Sequence, residues 1–361
     1  MAGVYISYPF CNQKCTFCNF ASGVSSEETK TRYMRTLLDE ILHEEWCWSP
    51  ETLYLGGGTP SLMPISQLQT MLRAIPRQAL REVTLECAPG TVTAERAHCW
   101  AEIGIDRVSL GVQSFVHEEL RRTGRRHTAE IVAQDVAVLR DAGISNINVD
   151  LIAGLPGQTR FSWQESLDWV ERLQPPHVSV YLFELDEDSR LGKEALLGGV
   201  RYGADLLPSD DLSAEFYERA VERLAVMGIH RYEISNFSLP GAESLHNLKY
   251  WHLEAYRGFG LDAHSFDGVR RWANSDELKD YLTGVRTENA IADRGEEHFF
   301  VGLRLRSGIR PTPEEWSRFA DPIARWTREG MLLIQDGTLR LSDQGVLLSN
   351  EVLQEFIGAR D

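Results

Sequence analysis

Cys11, Cys15 and Cys18 stand in the run C-N-Q-K-C-T-F-C, directly after Tyr5-Ile-Ser-Tyr-Pro-Phe10, and no histidine follows until His43. A closed structural zinc site takes four nitrogen or sulfur ligands, and a cubane held wholly by protein takes four thiolates. This loop offers three. The spacing points to an iron–sulfur cluster with one iron left open to a small molecule. The plainer alternatives are a zinc knuckle with a distant fourth ligand, or unligated thiols. Cys47, Cys87 and Cys99 read as small buried hydrophobes.

Further polar or glycine-rich stations follow β-branched runs. Gly56-Gly57-Gly58-Thr59-Pro60 follows 52–55, Glu86 ends 83–86, Gln113 follows 107–112, and Asp150 lies late in 146–152, before Gly154-Leu-Pro-Gly157. The glycines allow close backbone approach to a ligand, but the run is neither a P-loop nor a dinucleotide fingerprint. Singly, Glu86, Gln113, Arg125 and Asp150 read as caps or satisfied surface groups. Together they offer carboxylates, an amide and a guanidinium, suited to a zwitterion bearing ribose hydroxyls.

The elements that must position these groups are six candidate strands, at 4–8, 52–55, 83–86, 107–112, 146–152 and 177–183. Amphipathic stretches near 27–46, 66–75, 93–103, 129–142 and 162–173 separate them. That alternation predicts a parallel α/β sheet whose right-handed crossovers curl it toward a barrel. Ligands of such sheets sit at the carboxyl ends of the strands, where the stations fall. A long helix is expected over 210–227 and an extended segment over 232–237. The stretch 241–290 reads as aromatic-rich and loop-rich. Helical stretches near 297–305, 313–329 and 343–357, with a hairpin at 332–341 around Asp336-Gly337, give the tail a winged-helix-like order.

The 361 residues suffice for one large domain and a smaller one. Lys and Arg number 37 against 53 Asp and Glu, a net charge of −16, which argues against nucleic-acid binding as the main task. No apolar run is long enough to span a membrane and no signal-peptide pattern precedes the cysteine loop. Bunched cysteines are not a disulfide framework, so a cytoplasmic location is expected.

On these motifs the sequence resembles the radical S-adenosylmethionine superfamily, in the branch of oxygen-independent coproporphyrinogen III oxidases and HemW-type haem chaperones. The residues that carry the resemblance are Tyr5-x-x-x-Pro-Phe-Cys11, Gly-Gly-Gly-Thr-Pro-Ser61, Gly111-Val-Gln-Ser-Phe115, Gly124-Arg-Arg-His127 and Asn148-Val-Asp-Leu-Ile-x-Gly-Leu-Pro-Gly157. Ser7, where many relatives have His, and Glu86-Cys-Ala-Pro89 depart from the common pattern. The resemblance implies a partial (β/α)6 barrel over 1–235, an aromatic-rich connecting region over 236–294 and a smaller winged-helix-like α+β domain over 295–361. It implies a [4Fe–4S] cluster on Cys11, Cys15 and Cys18. S-adenosylmethionine would lie among Tyr5, Phe17, Gly57, Gly58, Thr59, Glu86, Gln113, Arg125 and Asp150, the cofactors supplying radical chemistry.

Two features divide the branch. The oxidases extend the motif to C-x3-C-x2-C-x-C, and the last position here is Phe20. His246-Asn-Leu-Lys-Tyr-Trp251 resembles the haem-associated H-N-x-x-Y-W signature of the chaperones. That makes His246, Tyr250 and Trp251 candidate haem contacts, with His252 and His264 as competitors for the iron; the plain reading is a loop cap and core aromatics. The expected function is a haem chaperone delivering haem to a haem-requiring protein, with an electron donor to the cluster. The alternative is oxidative decarboxylation of coproporphyrinogen III to protoporphyrinogen IX, and the resemblance leaves open both enzymatic activity and a dimer. A DNA-binding redox sensor using the tail is disfavoured, since 313–329 carries Glu314, Glu315 and Asp321 among its few Arg.

Overall fold

The computed structural model describes residues 2–285 and 290–358. Six strands, β1 (Gly3–Tyr8), β2 (Thr52–Gly57), β3 (Glu82–Cys87), β4 (Arg107–Gln113), β5 (Asn146–Ala153) and β6 (His177–Leu182), lie side by side in chain order and pair in parallel. The crossovers carry α1 (Glu27–Leu42), α2 (Ile65–Arg73), α3 (Ala94–Glu102), α4 (His117–Arg122), α5 (Ala129–Asp141) and α6 (Arg160–Leu173). Each expected strand and helix is present within a few residues. Ser26, Thr93, Thr128 and Thr159 cap the N-termini of α1, α3, α5 and α6 with their hydroxyls, satisfying amide groups the first turn leaves open.

The two faces of this sheet differ in chemistry. Along β1, Val4, Ile6 and Tyr8 point outward into the helical layer and are buried, while Tyr5 and Ser7 line the interior cavity. The same alternation sends Leu53, Leu55, Val83, Leu85, Val108, Leu110, Ile147, Val149, Val178 and Val180 into one hydrophobic core. Their neighbours Tyr54, Glu86, Arg107, Ser109, Asn148, Asp150, His177 and Ser179 face inward. That interior is wired: Asn148 Nδ2 donates to Ser109 Oγ at 2.8 Å and to Asp150 Oδ1 at 2.7 Å. His177 Nδ1 lies 2.6 Å from Asn148 Oδ1, and its Nε2 lies 2.9 Å from the Tyr232 hydroxyl.

The sheet does not end with β6. After α7 (Arg190–Leu196) and α8 (Asp210–Val226), the short strands β7 (His230–Arg231) and β8 (Asn236–Ser238) extend it antiparallel beyond β6. Then α9 (Leu245–Trp251) leads into β9 (Tyr256–Phe259), which pairs in parallel with β1. The strands β10 (His264–Phe266), β11 (Arg270–Ala273) and β12 (Ala290–Ile291) continue antiparallel to a total of twelve. The loop-rich expectation for 241–290 is thereby corrected. These strands are short and carry charge, which masks the period-2 pattern; Arg257, for instance, is buried because Glu44 pairs with its Nε at 2.9 Å.

In the tail, α10 (Leu278–Tyr281) and α11 (Arg294–Gly302) precede α12 (Pro313–Arg318) and α13 (Ala320–Arg328). The single helix expected over 313–329 is broken at Phe319, whose backbone leaves the helical region so that its ring packs 4.5 Å from Phe299 and 5.6 Å from Phe356. The expected hairpin is β13 (Leu332–Gln335) with β14 (Thr338–Leu341). Asp336 and Gly337 both take positive φ, 51° and 76°, the type I′ requirement. The chain closes with α14 (Asp343–Leu347) and α15 (Ser349–Gln354), broken where one stretch was expected. Among the described residues no helix is long and apolar enough to cross a membrane.

The α9 helix is tied to the amino ends of β2 and β3. Glu82, buried on β3, accepts from the Leu245 and His246 amides at 2.8 and 3.1 Å, and Lys249 on the same helix donates to Glu51 at 2.8 Å. A buried carboxylate capping a helix from another element favours the helix dipole and pairs its free amides. Glu82→Ala is expected to lower stability by about 2 kcal/mol, read from the urea midpoint, with far-UV dichroism of the folded protein unchanged; an unshifted midpoint would remove this role.

Candidate functional site

The cysteine loop leaves the carboxyl end of β1 and is held from several sides. The Cys11 amide donates to Gly23 O at 2.9 Å and the Thr16 amide to Thr123 O at 3.1 Å, just beyond α4. The Leu191 amide of α7 reaches Thr16 O at 2.9 Å, and Asn19 Nδ2 donates to Asp186 at 2.6 Å. Cys11, Cys15 and Cys18 are half-buried. Burial pushes the Cys11 thiol up, while Thr59 and Ser22 hydrogen bonds oppose that and the neighbouring Cys18 and Cys15 add to it. Among the described residues no three ligand side chains converge on a point that would hold a single metal ion. Of the other cysteines only Cys87 is buried; Cys99 is half-buried, and Cys47 is exposed, against expectation.

The glycine run forms the floor beside this loop. Gly57 holds φ at +110°, and a side chain at Gly58 would meet Pro9 C at 2.8 Å and Cys11 Sγ at 3.0 Å, so only glycine lets β2 close against the cysteine loop. Thr59, with Ser22, brings its side chain to the Cys11 thiol. Above the floor stands Glu86. Its Oε1 accepts from Tyr54 OH at 3.0 Å and its Oε2 from the Gly57 amide at 3.1 Å. Burial, then the nearby Asp150 carboxylate, raise its pKa from 4.5 to about 7. Asp150 is itself raised by burial against the pull of its hydrogen bonds to Ser179, Asn148 and Ser109.

Gln113 and Arg125 meet at the end of β4. Gln113 adopts φ 71° at an irregularity in the β4–β5 pairing, a conformation rare outside glycine and frequent at ligand sites. Its amide nitrogen and Arg125 Nη2 lie 3.2 and 3.6 Å from where a Gly111 side chain would begin. Arg125 Nη1 donates to Gly111 O at 2.6 Å, but its Nε is buried without a partner. An orphaned guanidinium nitrogen fits a ligand carboxylate. Phe17 packs edge-on against Phe183 at 6.4 Å. Of the S-adenosylmethionine candidates, Phe17 lies on the cysteine loop, Gly57, Gly58, Thr59, Glu86 and Gln113 at or just past the carboxyl ends of β2–β4, Tyr5 and Asp150 within β1 and β5, and Arg125 just after α4; the donor set fits such a ligand.

The H-N-x-x-Y-W motif divides. His246 is 1% exposed, stacked on Tyr54 at 5.2 Å, with Nδ1 2.9 Å from Thr52 Oγ1 and Nε2 2.8 Å from Tyr250 OH. Burial, with Lys249 and Arg107 nearby, lowers its pKa from 6.5 to about 3, so the ring is neutral and both nitrogens are occupied. Trp251 turns to the tail, under the Arg304 guanidinium at 5.3 Å. Tyr250 alone of the three lines a cavity of about 330 Å³ that also touches Tyr5, Phe20, Glu86, Tyr256, Leu261, Asp262 and His264. Phe20 and His264 stand at its exposed rim. Of these, Tyr256, Leu261 and Asp262 escaped the sequence reading; their only signal was the nearby His264, in a segment taken for loop.

A three-cysteine loop, a glycine floor, buried carboxylates and an orphaned guanidinium nitrogen gathered toward the carboxyl ends of parallel strands are the marks of a radical S-adenosylmethionine protein, and residues 5–170 match the model of the Radical SAM superfamily. The heme chaperone HemW of Lactococcus lactis is 33% identical over 98% of this chain and 96% of its own length. That of Bacillus subtilis is 31% identical over 99% of this chain and 100% of its own. The chain belongs to the HemW family. In fold it is similar to the coproporphyrinogen III oxidase HemN of Escherichia coli, with a TM-score of 0.82 at 22% identity over 99% of this chain and 90% of that one.

The Glu86 shift has a measurable sign. A folded pKa above the ordinary value gives stability that is full below pH 4.5 and lost as pH rises to about 7. Glu86→Gln keeps a neutral side chain throughout. The wild type is expected to lose about 3 kcal/mol relative to this variant across that window, measured as urea midpoints at each pH; parallel profiles would show that Glu86 ionises normally.

Proposed function

We propose that the chain is a haem chaperone, binding haem and passing it to a haem-requiring protein, and that it carries a [4Fe–4S] cluster and S-adenosylmethionine beside the haem. The observation that carries this reading is the open mouth of the cavity beyond the cysteine loop, outside the inner residues Tyr5, Gly57 and Glu86 that belong to the S-adenosylmethionine candidates. The mouth carries Phe20, 63% exposed, with Tyr256 beside it, apolar surface suited to a porphyrin face. Its exposed rim suits a cargo that must leave again. The relatives named heme chaperones, at 31% and 33% identity over nearly their full length, support it.

Cys11, Cys15 and Cys18 would hold the cluster. For S-adenosylmethionine, the Glu86 carboxylate suits the amino group and the free Arg125 nitrogen suits the carboxylate. Gly57, Gly58 and Thr59 would let the backbone lie against it, with Tyr5, Phe17, Gln113 and Asp150 completing the walls. When bound, the two cofactors supply one-electron chemistry. The chain's own residues orient them and exclude water.

Two experiments check this. Haemin titrated into the purified protein is expected to bind saturably, and the loaded protein to restore an apo-haemoprotein acceptor; anaerobic formation of protoporphyrinogen without such transfer would favour the decarboxylase instead. Changing Cys11, Cys15 or Cys18 to Ser is expected to abolish the iron–sulfur absorption after reconstitution while leaving far-UV dichroism intact. A retained cluster signal in all three variants would refute the assignment.

A further inference from the structure

We propose that Arg107 and Asn146, at the amino end of the barrel interior, bind a small planar oxyanion that carries a hydroxyl, hydrogencarbonate or a short hydroxy acid. The site is separate from the S-adenosylmethionine candidates and from the haem reading, and rests on neither.

Arg107 opens β4, faces into the barrel and is 2% exposed. A guanidinium keeps its charge throughout the physiological pH range, and burying a charge is costly unless a counter-charge and hydrogen bonds offset it. Within the described residues Arg107 has neither. Its Nε is buried without a partner, and its terminal nitrogens form no hydrogen bond or ion pair there.

The carboxylates of the interior are engaged elsewhere. Glu82 accepts from the Leu245 and His246 amides and, at 3.4 Å, from the Thr84 hydroxyl. Asp150 is bonded to Asn148 and Ser109, and Glu86 to Tyr54 and the Gly57 amide. Burial, with Arg107 nearby, holds the His177 imidazole well below its usual range, and His246 is lowered to about 3. Both rings are neutral, so neither competes with the guanidinium for an anion.

Asn146 is the Cα partner of Arg107 in the β4–β5 register. Residues so paired in parallel strands lie about 4.8 Å apart and project to the same face. Asn146 Oδ1 is also buried without a partner, so the two residues do not satisfy each other. A charged donor and an amide acceptor, both orphaned, therefore occupy neighbouring positions on the inward face. Such groups in a folded protein call for a ligand or a solvent partner.

The chemistry of the pair selects the ligand. The guanidinium fork offers two parallel N–H donors to the two oxygens of a planar carboxylate. The Asn146 oxygen only accepts, so it requires an O–H on the same molecule. Chloride provides neither, and a bare carboxylate meets Arg107 alone. Hydrogencarbonate and glycolate provide both. Asn146 as a whole is half-buried, which gives a small anion its route in. The bound anion is the counter-charge of Arg107 and joins β4 to β5 at the end opposite the cysteine loop.

The test uses full-length, cluster-loaded protein in a sulfonate buffer of constant ionic strength. It is titrated separately with hydrogencarbonate, glycolate, acetate and chloride, following the thermal midpoint and the NMR resonance of the isotope-labelled anion. Wild type is expected to respond saturably to hydrogencarbonate or glycolate, which tells the two sources apart, more weakly to acetate, and not to chloride. At about a hundred times its Kd the anion raises the folding equilibrium constant about a hundredfold. Arg107→Met is expected to lose the response and, with an uncompensated charge removed, to melt no lower than wild type in sulfonate alone. Arg107→Lys keeps the charge without the fork, and its affinity is expected to fall roughly tenfold or more. Asn146→Leu is expected to lose the preference for hydroxylated anions over acetate. A wild type indifferent to every planar anion would overturn the site, as would Arg107→Lys and Asn146→Leu binding as wild type does. An Arg107→Met variant that melts lower in sulfonate would also overturn it, by showing the guanidinium compensated within the fold.

Discussion

The rest of the structure depends on a sheet whose inward face is polar. A core strand ordinarily buries apolar groups on both sides when helices cover it. Here the interior carries Glu82, Glu86, Arg107, Asp150, Asn148 and His177, and burial without partners would cost more than the fold can spare. Most are therefore paired with one another or with backbone amides. The exceptions matter more. The Arg125 guanidinium keeps an unpartnered nitrogen at the carboxyl end of β4, and Glu86 is held near neutrality by burial and by Asp150. Part of the unmet demand, at Arg125 and Glu86, thus lies near the cysteine loop, where a zwitterionic cofactor would meet it, while Arg107 Nε stays unpartnered at the other end of β4.

The same pairing explains the division within the H-N-x-x-Y-W motif. His246 satisfies Thr52 at one end and Tyr250 at the other, and Glu82 fixes the start of its helix. The motif therefore holds the amino end of the barrel together and delivers Tyr250 to the cavity. The parts of the site that face solvent are supplied by the cysteine loop and by the β9–β10 turn, one on each side of β1.

Much of this was legible in the sequence because parallel α/β units announce themselves. Strands β1–β6 are β-branched runs bounded by turn residues, and many chemistry-bearing residues stand at or just past their ends, as with Gly57, Gln113 and the cysteines. Several features were not legible. The sheet continues through β9–β12 on strands as short as Ala290–Ile291, stabilised by ion pairs such as Arg257 with Glu44 rather than by an apolar period. The helix break at Phe319 follows from a ring seeking the core of the tail, a tertiary demand with no local signal. The cavity depends on a turn fixed by Tyr33 and Glu40, more than two hundred residues away in the chain.

The central claim is that haem is held at the carboxyl edge of the barrel, in the cavity between the cysteine loop and the β9–β10 turn. A crystal structure of the full chain with haemin tests it most directly. The account predicts the macrocycle at the open mouth of that cavity, against Phe20. Haem bound elsewhere on the chain would contradict it.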